Sequence, residues 1–154
     1  MQAKAAEQWR FRSQVATNET KTSGWDRKNE RRVLVADDDP AILRLVKTIL
    51  EKENYKVITA RDGREAYKIL QSDPNFIAAI LDVVMPHISG PELARFMRAE
   101  KKLGNIPVMM MTAEQDPKLS SESFAAGAMV FLPKPFTTAQ LQIMLQMLIV
   151  KSVE

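Results

Sequence analysis

Six polar side chains follow stretches that are otherwise apolar. Asp37, Asp38 and Asp39 come after residues 33–36, Asp82 after 76–81, Thr112 after 108–111, and Lys134 after 129–132. Short apolar runs of this kind read as strands buried on both faces, so a charge at their ends demands an explanation. In an open parallel sheet the carboxyl ends of the strands share one edge, and ligands sit there where the strand order reverses. If the reversal falls between the first and third strands, Asp37, Asp38 and Asp82 converge. Three gathered carboxylates repel, so one must hold a proton or a cation must join them. Oxygen-only donors favour a hard divalent ion such as Mg²⁺, which keeps several waters and prefers a couple of carboxylates plus a phosphate oxygen. The ammonium of Lys134 and the hydroxyl of Thr112 suit the remaining oxygens of a phosphoryl group. The chemistry is phosphoryl transfer, for which a carboxylate is an accepted nucleophile. Taken singly, Asp-Asp-Asp-Pro is a helix cap, Asp82 a turn residue and Lys134 a surface lysine. Their joint occurrence on one edge is what independent caps would rarely produce.

The segments that carry these residues alternate along the chain. Five runs, 33–36, 56–59, 76–81, 108–111 and 129–132, read as buried strands. Between the first two, Ile42, Val46, Ile49 and Leu50 mark one face of a helix that Pro40 can open. Ala66, Ile69 and Leu70 mark a second helix beginning near Asp62-Gly63, and Leu93, Phe96 and Met97 a third entered through Ser89-Gly90-Pro91. A weaker fourth contains Phe124, and the last starts at Thr137 or Thr138. Five βα units predict an α/β fold, a doubly wound parallel sheet with helices on both faces and right-handed crossovers.

Composition narrows the function further. The chain has 154 residues, 45% hydrophobic and 27% charged, with 22 Lys plus Arg against 19 Asp plus Glu. One globular unit with an appendage fits that length. The absence of cysteine excludes disulfides, thiolate nucleophiles and Cys-ligated zinc, and the single His87 excludes any site needing two imidazoles. His87 is read as a surface loop residue. The N-terminus lacks the apolar core of a secretory signal, and no run approaches the ~18 residues of a membrane span, so a cytoplasmic chain without membrane contact is expected. Residues 1–32 carry eight basic and four acidic side chains, a net +4 that leaves −1 for the rest. Residues 1–31 therefore read as a basic polar arm or linker and 32–154 as the folded domain. The Trp9-Arg10-Phe11-Arg12 cluster has the composition of a nucleic-acid contact, but a solvated tail or docked segment is the reading preferred.

Over roughly residues 32–152 the sequence resembles the receiver domain of two-component response regulators. Val33-Leu34-Val35-Ala36-Asp37-Asp38-Asp39 resembles the family's first strand with its acidic pair, and Leu81-Asp82-Val83-Val84-Met85-Pro86 its phosphoacceptor motif. Met111-Thr112-Ala113, Ala126-Gly127-Ala128 and Pro133-Lys134-Pro135-Phe136 are similar to the later motifs. The resemblance implies a flavodoxin-like fold of the chemotaxis-regulator type, with strand order 2-1-3-4-5 and five helices. It implies that Asp82 takes a phosphoryl group from a sensor histidine kinase or histidine phosphotransfer protein, and that the chain is no enzyme in the ordinary sense. It further implies Mg²⁺ held by Asp37, Asp38, Asp82 and the backbone carbonyl of Val84. Thr112, Ala113 and Lys134 would bind the phosphoryl group, Thr112 and Phe131 would act as the switch, and Lys134-Pro135 is a candidate cis peptide. Asp39 resembles the variable position after the pair, more cap than ligand. Two residues after Asp82 the family varies. Val84 offers no side-chain hydrogen bond to an attacking water, which predicts a long-lived phosphorylated state, although Glu114 could orient one.

The final helix carries two apolar stripes. Leu141, Met144, Leu145 and Leu148 are expected to face the sheet, leaving Ile143, Met147 and Val150 on a side that should be polar. Such a row marks an interface. The resemblance implies a homodimer or effector contact through the last strand and last two helices; the alternative is cover by the Trp9 and Phe11 segment. The chain ends two residues past Ser152, so no following output domain is expected, and the chain is either a stand-alone responder or a fragment. Two rival functions remain. A haloacid-dehalogenase-like metal-dependent phosphohydrolase would use Asp37 and Asp39 as its Asp-x-Asp but leaves Asp82 idle. A phosphorylation-independent interaction module would have no need of the complete acidic set.

Overall fold

The computed structural model describes residues 30–113 and 117–152. Trp9, Phe11 and the other residues up to 29, together with Glu114, lie outside the described residues. The elements alternate as β1 (Arg32–Ala36), α1 (Pro40–Glu51), β2 (Lys56–Ala60), α2 (Gly63–Ser72), β3 (Ala78–Asp82), α3 (Gly90–Ala99), β4 (Val108–Thr112), α4 (Pro117–Ala125), β5 (Val130–Pro133) and α5 (Thr138–Ser152). All strands pair in parallel, in the order β2-β1-β3-β4-β5. The order reverses at β1, which has β2 on one side and β3 on the other.

Alternation along the strands divides the core in two. Val33, Val35, Ile80, Met109 and Met111 point to one face, where they meet Leu43, Val46 and Leu50 of α1 and Leu141, Leu145 and Leu148 of α5. Leu34, Leu81 and Met110 point to the other, against Ala66 and Leu70 of α2 and Leu93, Ala94 and Met97 of α3. Both faces are covered, which is why β1, β3 and β4 are buried at every residue. The three consecutive methionines of β4 are fully buried; unbranched thioethers adapt to the gaps on both faces.

Helix starts are set by side-chain caps. Asp39 accepts from Ala41 N (2.9 Å) ahead of Pro40, and Asp62 accepts from Glu65 N (2.8 Å). Ser89 and Glu92 form a reciprocal capping box, and Thr137 and Gln140 bond reciprocally in the same way at α5. Each cap satisfies amides that the first helical turn leaves open.

Three expectations are corrected. The third strand begins at Ala78 rather than residue 76. Phe76 is buried under the Arg32 guanidinium as part of the connection, and an apolar run does not distinguish a buried connector from a strand. Asp82 and Thr112 end their strands instead of following them, because the ladder uses backbone atoms regardless of side-chain polarity. Phe96 is not part of the buried face of α3. It is half-exposed and its ring lies 5.7 Å from that of Tyr67 on α2, while Ala94 takes the inner position. The second stripe of α5 is as expected, with Ile143, Met147 and Val150 exposed.

Ile80 is fully buried in the central strand. Ile80→Ala is expected to destabilise the fold by about 2–5 kcal/mol, read as a lower urea midpoint at an unchanged m-value.

Candidate functional site

Register builds the site before any side chain is considered. Ala36 pairs with Leu81, so the next residues on these strands, Asp37 and Asp82, lie side by side. Thr112 pairs with Pro133, and Lys134 N donates to Thr112 O (2.8 Å), which brings the lysine to the same edge. Asp37, Asp38 and Asp82 each place a carboxylate oxygen within 4.8 Å of the others. Asp37 is fully buried and Asp82 nearly so, while Asp38 is exposed at the rim.

Lys134 Nζ lies 2.7 Å from Asp37 Oδ2 and 3.4 Å from Asp82 Oδ1. The other oxygen of Asp37, Oδ1, accepts from Asp39 N (2.9 Å), so both sides of this buried carboxylate are engaged. One ammonium faces three carboxylates. Burial first, and then the neighbouring charge of Asp37, push the Asp82 carboxyl up to about 6; Lys134 opposes the shift and Asp38 adds to it. Burial pulls Lys134 down, but its hydrogen bond to Asp37 and the charges of Asp82 and Asp37 outweigh that and hold it above the usual lysine value.

Of the other residues singled out in the sequence, Thr112 is buried at the end of β4 and Ala113 is exposed just beyond it. Val84 is exposed in the loop after β3 and edges a cavity of about 360 Å³ with Met85, Pro91, Arg95 and Glu122. Phe131 is not part of the acidic cluster. It lies on β5 opposite Met110, half-buried, with its ring 6.3 Å from that of Phe124. Asp39 caps α1, as expected. The Lys134–Pro135 bond is cis. His87 is in an exposed loop, but with φ +72° and the Arg64 guanidinium against its ring, a contact that residues 23 apart in sequence do not advertise.

Gly90 is a residue whose role the sequence reading missed. A Cβ there would run into the carbonyl oxygen of Asp82 and crowd Met110 Sδ, so α3 starts against the end of β3 only because the residue is glycine. The signal was the placement of Gly-Pro directly behind a capping serine.

A flavodoxin-like sheet carrying an acidic trio and a lysine at its switch point defines a domain of the CheY type. The chain belongs to the response regulator receiver domain family, whose model matches residues 33–146. Among curated proteins it is 36% identical over 104 residues to the response regulator GtcR of Aneurinibacillus migulanus, covering 68% of this chain and 41% of that protein. It is 34% identical over 109 residues to the CAI-1 autoinducer sensor kinase/phosphatase CqsS of Vibrio cholerae serotype O1, covering 70% of this chain and 16% of that protein. The chain thus spans less than half the length of these curated relatives. Among solved structures, the chemotaxis response regulator CheY4 of Vibrio cholerae superposes with a TM-score of 0.73 at 35% identity, covering 78% of this chain and 99% of that one. The receiver domain of a signal transduction histidine kinase from Syntrophus aciditrophicus gives 0.72 at 31% identity, covering 79% and 91%.

The raised Asp82 carboxyl has a consequence for stability. A group whose value is higher folded than unfolded favours the fold below the unfolded value, and that contribution is lost as pH rises through about 6. In magnesium-free buffer Asp82→Asn is therefore expected to stabilise the protein at pH 7–8 by on the order of 1–2 kcal/mol and to have little effect near pH 4, measured by thermal unfolding across that range.

Proposed function

We propose that this chain is a two-component receiver in which Asp82 accepts a phosphoryl group from the phosphohistidine of a sensor kinase or a histidine phosphotransfer protein. The observation that carries the reading is the Lys134 ammonium set between Asp37 (2.7 Å) and Asp82 (3.4 Å), with Asp38 at the rim. The donors are oxygens only, and they carry more negative charge than one lysine offsets, which fits Mg²⁺. Asp37, Asp38, Asp82 and the backbone carbonyl of Val84 are the residues that would hold it. Bound there, it neutralises charge on the phosphoryl oxygens.

An oxygen of Asp82 attacks the phosphorus as the P–N bond to imidazole breaks; the bonding pair leaves with the nitrogen, and an acyl phosphate forms. Lys134 pairs with one phosphoryl oxygen, while the Thr112 hydroxyl and Ala113 serve another. Thr112 and Phe131 then shift together, and the output is a change in population between two surfaces. The chain acts as a phosphoacceptor and not as a turnover enzyme. The exposed Ile143, Met147 and Val150 support an output by contact through β5, α4 and α5, with a second copy or an effector. No helix among the described residues is long and apolar enough to cross a membrane, consistent with a place beside a kinase in the cytoplasm. The hydrolase alternative needs a free second acid at Asp39, whose carboxylate is occupied in capping α1.

Incubation with Mg²⁺ and a small acyl phosphate is expected to add one phosphoryl mass to the wild type and none to Asp82→Asn, with chelation abolishing the gain; an equally modified Asp82→Asn protein refutes the assignment. Val84→Asn, which supplies a side-chain hydrogen bond for water, is expected to shorten the phosphorylated lifetime several-fold, followed by the decay of the phosphorylated mass.

A further inference from the structure

The loop joining β3 to α3, residues 83–89, bears directly on the site because it follows Asp82 and contains Val84. Its ends are tied to the sheet and to each other: Val83 N donates to Met111 O (2.9 Å) and Gly90 N to Val83 O (3.0 Å). Its middle is supported from the start of α2. Gly63 lies directly against Ile88, where a Cβ would overlap the Ile88 carbonyl oxygen and side chain. One residue further, Arg64 Nη2 lies 2.6 Å from His87 Nδ1 and 3.1 Å from Nε2.

His87 occupies the left-handed region at φ +72°, which is uncommon for a residue other than glycine, although histidine is among those that adopt it more often. The guanidinium has donors and no acceptor, so a ring nitrogen that carries a lone pair is the partner it can bond to. The groups of α2 facing His87 are Arg64 and Asp62. Asp62 caps the helix, its carboxyl held below the usual range mainly by the hydrogen bond from the Glu65 amide. Glu92 of α3 is turned to Ser89 N (2.9 Å).

We propose that Arg64 is a positioning residue: by bracing the imidazole of His87 it fixes the loop after Asp82, and so sets how fast Asp82 is phosphorylated. The inference rests on the reading of Asp82 as phosphoacceptor. The brace stands outside the acidic pocket and touches none of its carboxylates, so it acts through loop geometry alone.

Two measurements on the full chain test it. At pH 8, hydrogen-exchange protection of the Ile88 and Gly90 amides is expected to fall about three- to fivefold in Arg64→Ala and in His87→Asn, while Leu145 and Leu148 of α5 are unchanged. Arg64→Lys restores part of the protection. Phosphorylation by acetyl phosphate with Mg²⁺ at pH 8 is expected to slow by a similar factor in Arg64→Ala. Unchanged exchange in Arg64→Ala overturns the brace, and changed exchange with an unchanged rate overturns its role in positioning. A wild type that takes up no phosphoryl group overturns the reading of Asp82 itself, and with it the effect on rate, whatever the exchange shows.

Discussion

A fully buried carboxylate must be paired, and the acidic edge of this sheet stands on the pairing of Asp37 with Lys134. The partners are 97 residues apart in sequence, and closing them requires all the intervening sheet to be in register. Such a pair adds little net stability, because desolvation offsets most of the attraction, whereas removing one partner strands a buried charge at a cost of about 3–5 kcal/mol. The pair therefore acts less as a fastening than as a condition: the carboxyl edge of the sheet is acceptable only when β1, β3 and β5 are assembled together.

The same edge remains electrostatically incomplete. Lys134 sits between Asp37 and Asp82, yet Asp82 is still pushed up to about 6, because one ammonium does not offset burial together with two neighbouring carboxylates. A receiver domain needs such a pocket. An edge already neutral would have no affinity for a divalent cation, and an edge with fewer acids would not gather the oxygens such a cation requires. The acids used in capping, Asp39 and Asp62, are satisfied by backbone amides and take no part in the cluster.

The scaffold around the pocket is rigid at the strands and adjustable at the loops. β1, β3 and β4 are buried throughout and present their last residues at fixed spacing. The loop after β3 is held at its ends by backbone bonds and at its middle by side chains from α2, so it is the part of the edge that distant substitutions can tune. α5 packs on the opposite face of the sheet from α2, and its outer stripe leaves Ile143, Met147 and Val150 exposed, an apolar surface that the packing of this chain's described residues does not cover.

The alternation of elements and the identity of the acidic edge were already written in the chain. Apolar runs with period-two faces and helical stripes depend on local geometry, and a charge at the end of a buried run shows in the order of residues. Asp37, Asp38, Asp82 and Lys134 were legible for that reason, and so was the unpartnered stripe of α5. Where the third strand begins, that Phe96 turns outward to Tyr67, that Gly90 lets α3 start against Asp82, and that Arg64 reaches His87 became visible only once the chain was folded. Each of these depends on what another element presents across a gap of a few ångströms, and composition and periodicity carry no term for contacts between residues distant in the chain.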